Sequence, residues 1–360
     1  MKFGARILKT GIAIILSLFL AQLLELPSPV FAGIAAIFAV QPTIYRSYLT
    51  VIEQIQGNII GAIIAVLFVL TLGNNFFIIG LAAILVIAIN LKLKLENTIS
   101  LSLVMLIAIM VTPGDDFFEF ALLRFTTIII GVIAAFIVNL VFFPPKYEKK
   151  LYQKNAFLNE EISKWIRIST RHASEHQLLK EDIEKLGEGM IKLENLFIMY
   201  EEERNYFKKH SLAKSRKLVV YRQMITTNKA ALDTLKRLHR YENETHQMPE
   251  GFQEAIQEHL DCIINLHEQV MLKYIGKINP EVTIIEGHDC FNKKELLELF
   301  LVHQNRITHA DDQIQYHMIQ LVAVIMEYGE QLEHLDRLIS SFQSYHKDDK
   351  HIYVDSTIED

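Results

Sequence analysis

Charge is what the first part of this 360-residue chain lacks. Residues 1–143 hold seven Lys/Arg and six Asp/Glu, with no His and no Trp. Residues 144–360 hold 29 basic and 36 acidic residues, a net charge of −7, together with all 14 His and the single Trp165. So sharp a shift in composition is a domain boundary. Phe143-Pro144-Pro145-Lys146 marks it, because two successive prolines withhold backbone donors and cannot continue a helix. Clustered Lys/Arg is missing from the acidic second part, which argues against nucleic acid as a partner. Only two cysteines occur, Cys262 and Cys290, without a pairing pattern, and they read as reduced thiols of a cytoplasmic compartment. No phosphate-binding Walker loop, HExxH or GxSxG is present, so no built-in ATPase or hydrolase is expected, and neither an enzyme activity nor a cofactor.

What the first part has is apolar length. Gln54–Leu91 runs 38 residues without a charge, interrupted by Gly73-Asn74-Asn75. A bilayer core needs about 20 apolar residues per helix, so this is two helices and a tight turn. The same rule predicts six spans near 7–24, 28–44, 54–72, 76–91, 97–112 and 123–143. With the N-terminus inside, Lys2, Arg6, Lys9, Arg46, Lys92, Lys94, Lys146, Lys149 and Lys150 fall on the cytoplasmic side. Only Arg124, beside Asp115, Asp116 and Glu119, falls outside, and this positive-inside bias puts both termini in the cytoplasm. A rival reading takes Lys2, Arg6 and Lys9, the run Gly11–Leu24 and Val30-Phe31-Ala32 as a cleaved signal peptide, leaving five spans.

The membrane part repeats itself. Ile59–Val66 reads IIGAIIAV and Ile129–Phe136 reads IIGVIAAF, an offset of 70. Val40-Gln41-Pro42 matches Val111-Thr112-Pro113 at nearly the same offset. Two copies of a three-helix unit follow, and because three is odd the second copy is inverted, as in many secondary transporters. Chance likeness between Ile-, Ala- and Gly-rich helices is the plainer alternative. Gly57, Gly61 and Ala65 are spaced by four, as are Thr127, Gly131 and Ala135, a pattern that lets helices pack closely in lipid. Polar residues are few enough to be candidates for a substrate pathway: Gln41, Pro42 and Thr43 at the end of span two, then Arg124, Thr127 and Asn139. Gln56, Asn58, Asn97, Thr98 and Thr126 lie in or beside spans. Arg124 suits a carboxylate through its paired donors, or it simply snorkels and pairs with Glu119 or Asp116. Arg46 and Glu53 are read as interfacial.

The segments VQPT (Val40–Thr43), QGNIIGAIIA (Gln56–Ala65) and RFTTIIIGVIAAFIVNLVFFPP (Arg124–Pro145), in that order, resemble the bacterial aromatic acid exporter family, related to the fusaric acid resistance group. The helical second part resembles the C-terminal domain of the smaller Gram-positive members. The resemblance covers nearly the whole chain. It implies export of small aromatic or amphipathic organic acids, and, since larger relatives carry two membrane units, pairing of chains into a homo-oligomer.

From Tyr147 onward the pattern is helical with heptad spacing. Ile314, Met318, Leu321, Ile325, Tyr328, Leu332, Leu335, Ile339 and Phe342 step by 4 and 3; Ile183, Leu186, Met190, Leu193, Phe197 and Tyr200 do likewise. Such seams belong to long antiparallel helices, broken near Lys209–Ser211, Met248-Pro249 and Asn279–Asn292, in a bundle of four or five. His172 and His176 are four apart, and His288-Asp289-Cys290 sits in a loop. Neither offers the second ligand pair of a structural zinc site, so these are solvated groups and no metal is expected.

The expected architecture is therefore all-α: a transmembrane unit over 1–145, a cytoplasmic helical bundle over 146–345 and a polar tail over 346–360. The leading function is a secondary exporter of small organic anions in the lipid bilayer, ion-coupled because no nucleotide site occurs. The alternative is a membrane-anchored interaction or sensor protein whose spans merely hold the helical domain.

Overall fold

The computed structural model describes residues 5–26, 28–111, 117–141, 147–204, 211–279, 297–298, 301–302 and 312–345. Among them every regular element is a helix. The chain divides into two compact units, Met1–Pro145 and Lys146–Asp360.

The first unit contains α1 (Ala5–Leu23), α2 (Val30–Ala39), α3 (Ile44–Leu72), α4 (Phe76–Lys92), α5 (Ile99–Met110) and α6 (Phe117–Val141), with a 3-10 turn over Glu96–Thr98 before α5. Local chemistry sets these limits. Pro29 precedes α2, and the chain turns extended at Val40, just ahead of Gln41-Pro42. Thr43 caps α3, its Oγ1 accepting the Arg46 N–H at 3.0 Å, as an N-cap threonine does. Gly73, at φ 85°, ends α3 in a conformation that favours glycine. The helix expected at 54–72 thus starts ten residues earlier, and the span expected at 28–44 shrinks to the ten residues of α2. Only Ile44–Leu72 and Glu119–Val141 are long and apolar enough to cross a membrane; Ile7–Leu23, Val30–Ala39, Phe76–Lys92 and Glu96–Met110 are shorter. Where six full-length spans were expected, the described residues therefore contain two. Hydropathy measures composition, whereas caps and prolines decide where a helix stops.

Small residues bring these helices together. A side chain at Gly61 would meet the Ser102 carbonyl oxygen of α5 at 2.5 Å, and one at Gly131 would collide with the Ala32 carbonyl oxygen of α2. These contacts are reciprocal: Gly131 lies 70 residues after Gly61, and Ser102 lies 70 residues after Ala32. Ala65 and Ala135, one turn further on, are both fully buried. The outer surface is apolar instead: Ile15, Leu70, Phe76 and Phe77 each expose more than two-thirds of their area.

The second unit contains α7 (Tyr147–Thr170), α8 (His176–Arg204), α9 (Ser211–Arg240), the short α10 (Glu242–Gln247), α11 (Glu250–Tyr274) and α12 (Asp312–Tyr345). Its heptad positions form one core, with Met318, Leu321, Ile325, Tyr328, Leu335 and Ile339 of α12 fully buried. Polar pairs inside this core fix register: Asn228 Nδ2 donates to Asn155 Oδ1 at 2.8 Å, and Lys273 Nζ lies 2.9 Å from Asp336 Oδ1 in a fully buried ion pair. The break at Met248-Pro249 separates α10 from α11. The breaks at Lys209–Ser211 and Asn279–Asn292 and the tail over 346–360 fall mostly or wholly outside the described residues.

Candidate functional site

The break between α2 and α3 leaves main-chain carbonyls without helical partners, because Pro42 has no N–H and interrupts the ladder. Asn139, near the end of α6, reaches this corner. Its Nδ2 donates to the carbonyls of Gln41 at 3.1 Å and Thr43 at 3.4 Å, and its Oδ1 accepts from Lys9 Nζ at 3.0 Å. Ser47 Oγ donates to the Ala39 carbonyl at 3.0 Å across the same turn. Gln41, Thr43 and Asn139 are thereby brought together, with Pro42 half-buried between them. Lys9, within the first expected span, is buried in α1. This corner also fixes polarity, since the start of α3 meets the end of α6 and the two helices run antiparallel.

Arg124 and Thr127 lie elsewhere. Arg124 stands fifteen residues before Asn139 on α6, about 22 Å along the helix at 1.5 Å per residue. Thr127 is buried and returns its hydroxyl to the Leu123 carbonyl at 2.8 Å. Arg124 is only 6 % exposed. Its guanidinium lies over the Phe31 ring of α2 and 5.8 Å from the Phe120 centroid. Its Nε has no hydrogen-bond partner, and no ion pair to Arg124 occurs among the described residues. Pairing with exposed Glu119 is therefore absent; Asp115 and Asp116 lie outside the described residues.

A cavity of about 420 Å³ opens beside the polar corner, between α3 and the segment that begins α5. Arg46, Glu53 and Gln54 of α3 line it, with Gln41, Thr98 and Leu101. Gln54 is 1 % exposed, yet neither its Nε2 nor its Oε1 has a partner. An unsatisfied buried amide costs roughly 1–3 kcal/mol per group, and in this unit Asn58 and Asn90 each leave one amide oxygen unpartnered as well, whereas Gln54 leaves both amide atoms so. Gln54 opens the charge-free run and so does not stand out in the sequence as an isolated polar residue within a span. The repeat offset would have found it, since Arg124 stands 70 residues later. Gln56 and Asn97 are exposed, while Asn58 bonds within its own helix to the Gln54 carbonyl at 2.8 Å. A second cavity, about 490 Å³ between α3 and α6, is lined by apolar residues such as Ile63, Leu67 and Phe125 and offers nothing to recognise an anion.

In the helical unit the histidines are more engaged than free solvation implies. His172 contacts Gln253 Oε1 at 3.1 Å and His176 Nδ1 lies 2.7 Å from Glu242 Oε2. The rings of His176 and His239 lie 4.1 Å apart, tilted by 33°. His176, His239 and Glu242 present ligand-type atoms within 4.8 Å of one another and are the residues placed to receive a metal. Burial alone would raise the Glu242 carboxyl, but hydrogen bonds from His176 and Ser174 outweigh it and hold the group below its ordinary value. Burial, then the neighbouring His176, lowers His239. Cys262 is also not a free thiol: it is disulfide-bonded, a correction to the reduced reading that sequence spacing could not supply. His288, Asp289 and Cys290 lie outside the described residues.

Residues 1–142 match the model of aromatic acid exporter family member 1. Over 349 residues the chain is 54 % identical to the UPF0421 protein YgaE of Bacillus subtilis (strain 168), covering 97 % of this chain and 98 % of that one. A UPF0421 protein of Bacillus thuringiensis (strain Al Hakam) is 24 % identical over 95 % of both chains. Another, from Oceanobacillus iheyensis, is 32 % identical over 46 % of this chain and 47 % of its own. With likeness running over both units at 54 % identity, the chain belongs to the UPF0421 family, and its first unit is similar to the aromatic acid exporter family.

Proposed function

We propose that this protein is a secondary exporter of small aromatic or amphipathic organic acids, coupled to an ion gradient. The observation that carries the proposal is the cavity at the head of α3, where a buried amide with no partner and a nearby guanidinium, Arg46, face a space large enough for one aromatic ring. Small-molecule sites combine apolar walls with polar groups that fix orientation; here Phe38, Leu49 and Leu101 form the apolar wall and the rest of the lining is polar. In this reading all six helices of the first unit pass the bilayer, the shorter ones through locally thinned lipid, as mismatched helices do. Both termini and the helical unit are cytoplasmic, and two or more copies assemble. The reciprocal contacts of Gly61 and Gly131 support an inverted repeat of α1–α3 and α4–α6, the architecture in which sites form between halves.

The test is accumulation of a panel of aromatic carboxylates in cells with and without the protein, repeated after the proton gradient is collapsed. Lower accumulation with the protein, abolished by collapse, is expected; equal accumulation across the panel refutes the reading. The anchored sensor remains as a second reading on one observation: the helical unit buries a large core of its own. It predicts no change in accumulation for any acid.

A further inference from the structure

The 70-residue offset that exchanges Gly61 with Gly131 and Ala32 with Ser102 also exchanges Gln54 with Arg124 and Leu101 with Phe31. Each pair plays matching parts. Gln54 is buried on α3 with both amide atoms unpartnered, and Leu101 lines the cavity in front of it. Arg124 is buried on α6 with its Nε unpartnered, and Phe31 lies across its guanidinium. Because α3 and α6 are antiparallel, the two positions point toward opposite ends of the unit. One of them fronts an open cavity, and the other is covered by an aromatic ring.

We infer that Gln54 and Arg124 are equivalent carboxyl-contact positions at the two ends of one substrate path, Gln54 in the half-site open in this conformation and Arg124 in the half-site shut by Phe31. The inference rests on the exporter reading and names its recognition groups. The Gln54 amide donates from Nε2 to a carboxyl oxygen and accepts at Oε1 from a protonated acid or ring hydroxyl. The ring of the substrate lies against Phe38, Leu49 and Leu101, which share the cavity. Arg46 and Glu53 are the charged groups at its edge, so the cavity is not a plain cation or anion trap. At the far end the guanidinium takes a carboxylate through two parallel hydrogen bonds, once Phe31 moves off it. Rocking between two such states around related half-sites is how inverted-repeat transporters alternate access.

The experiment uses full-length protein purified in detergent, with 2-naphthoate as a fluorescent probe, beside efflux of the same acid from loaded cells. Gln54→Leu should weaken binding about tenfold or more, the effect of losing a hydrogen-bonded contact of 1.4 kcal/mol. Arg124→Ala should reduce efflux as strongly as Gln54→Leu, because the acid has to pass the far half-site to leave. Gln54→Met serves as a second shape-preserving variant, and thermal unfolding checks that each variant is folded. Wild-type binding by a folded Gln54→Leu or Gln54→Met, or wild-type efflux by a folded Arg124→Ala, overturns the inference while leaving the exporter reading intact. If the wild-type protein neither binds nor exports any aromatic acid, the exporter reading falls and takes this site with it.

Discussion

Adding one methyl group at Gly131 or Gly61 should destabilise the membrane unit, and adding it at Gly80 should not. At Gly61 the new carbon would sit 2.5 Å from the Ser102 carbonyl oxygen and 3.2 Å from its carbon. Ordinary contact begins at 3.4 Å, so α3 and α5 would have to separate by about 0.9 Å there. The obstacle is backbone, which cannot rotate aside as a side chain would. Overpacking of this kind costs roughly 1–3 kcal/mol. Replacing a helical glycine by alanine returns roughly 0.5–1 kcal/mol through lower backbone entropy in the unfolded chain, leaving a net loss of up to about 2 kcal/mol. Gly131 is tighter, with the Ala32 carbonyl oxygen closer still and both the carbonyl carbon and Cα at 2.8 Å, so its loss is the larger. Gly80 has nothing within 4 Å and keeps only the gain. Melting of full-length protein in detergent, followed by the fraction that stays monodisperse after heating, should rank Gly131→Ala below Gly61→Ala, both below wild type, and Gly80→Ala at or above it. A Gly131→Ala protein that melts with Gly80→Ala refutes the close approach of α6 and α2.

Three further outcomes are expected. His267 is buried against the Tyr328 hydroxyl at 2.8 Å, and burial pushes its pKa from 6.5 down to about 3; the folded state therefore refuses a proton that the unfolded chain takes. Stability of the helical unit is full above pH 6.5 and falls by about 1.4 kcal/mol per pH unit toward 3, and urea titrations in which His267→Gln leaves that slope unchanged would disprove it. Asp336→Leu removes the carboxylate that pairs with the buried Lys273 ammonium, to which Ser340 lies at 2.7 Å, and should cost about 3–5 kcal/mol, much of it recovered when Lys273→Met is added; a single-variant loss under about 1 kcal/mol contradicts this. Arg124→Lys should impair export nearly as much as Arg124→Ala, because an ammonium has neither the flat face that meets Phe31 nor the forked donors, and full activity in the lysine variant would return Arg124 to simple interfacial anchoring.

Much of the helical unit was legible because its signal is local. A seam that steps by 3 and 4 over the length of α12 has one way to be buried, and Met318 through Phe342 are buried along it. The helix limits of the membrane unit were less legible. Hydropathy cannot see that Thr43 caps α3 eleven residues before the charge-free run, nor that Arg46 and Glu53 belong to that helix. The partner of Lys9 was illegible for a related reason: its acceptor is 130 residues away on α6. Cys262 carried no spacing signal at all, since pairing depends on the approach of distant segments.

For the site, the sequence offered two kinds of information, and they performed differently. Scarcity of polar residues in apolar helices picked out Gln41, Thr43, Arg124, Thr127 and Asn139. Scarcity alone cannot separate a residue whose hydrogen bonds are spent from one whose bonds are free. Asn139 is spent, tying Lys9 to the Gln41 and Thr43 carbonyls, and Thr127 is spent on its own helix. Gln54 is free, and scarcity did not pick it out. The repeat carries the finer information, because it relates positions instead of counting them. It projects Arg124 onto Gln54, and the three-dimensional arrangement then shows that these two, unlike Asn139 and Thr127, keep buried polar atoms unpaired. A buried group left unpaired costs roughly 1–3 kcal/mol, a cost that a ligand bound there relieves. Two such groups at equivalent positions, facing opposite ends of one unit, are what a path with an entry and an exit requires.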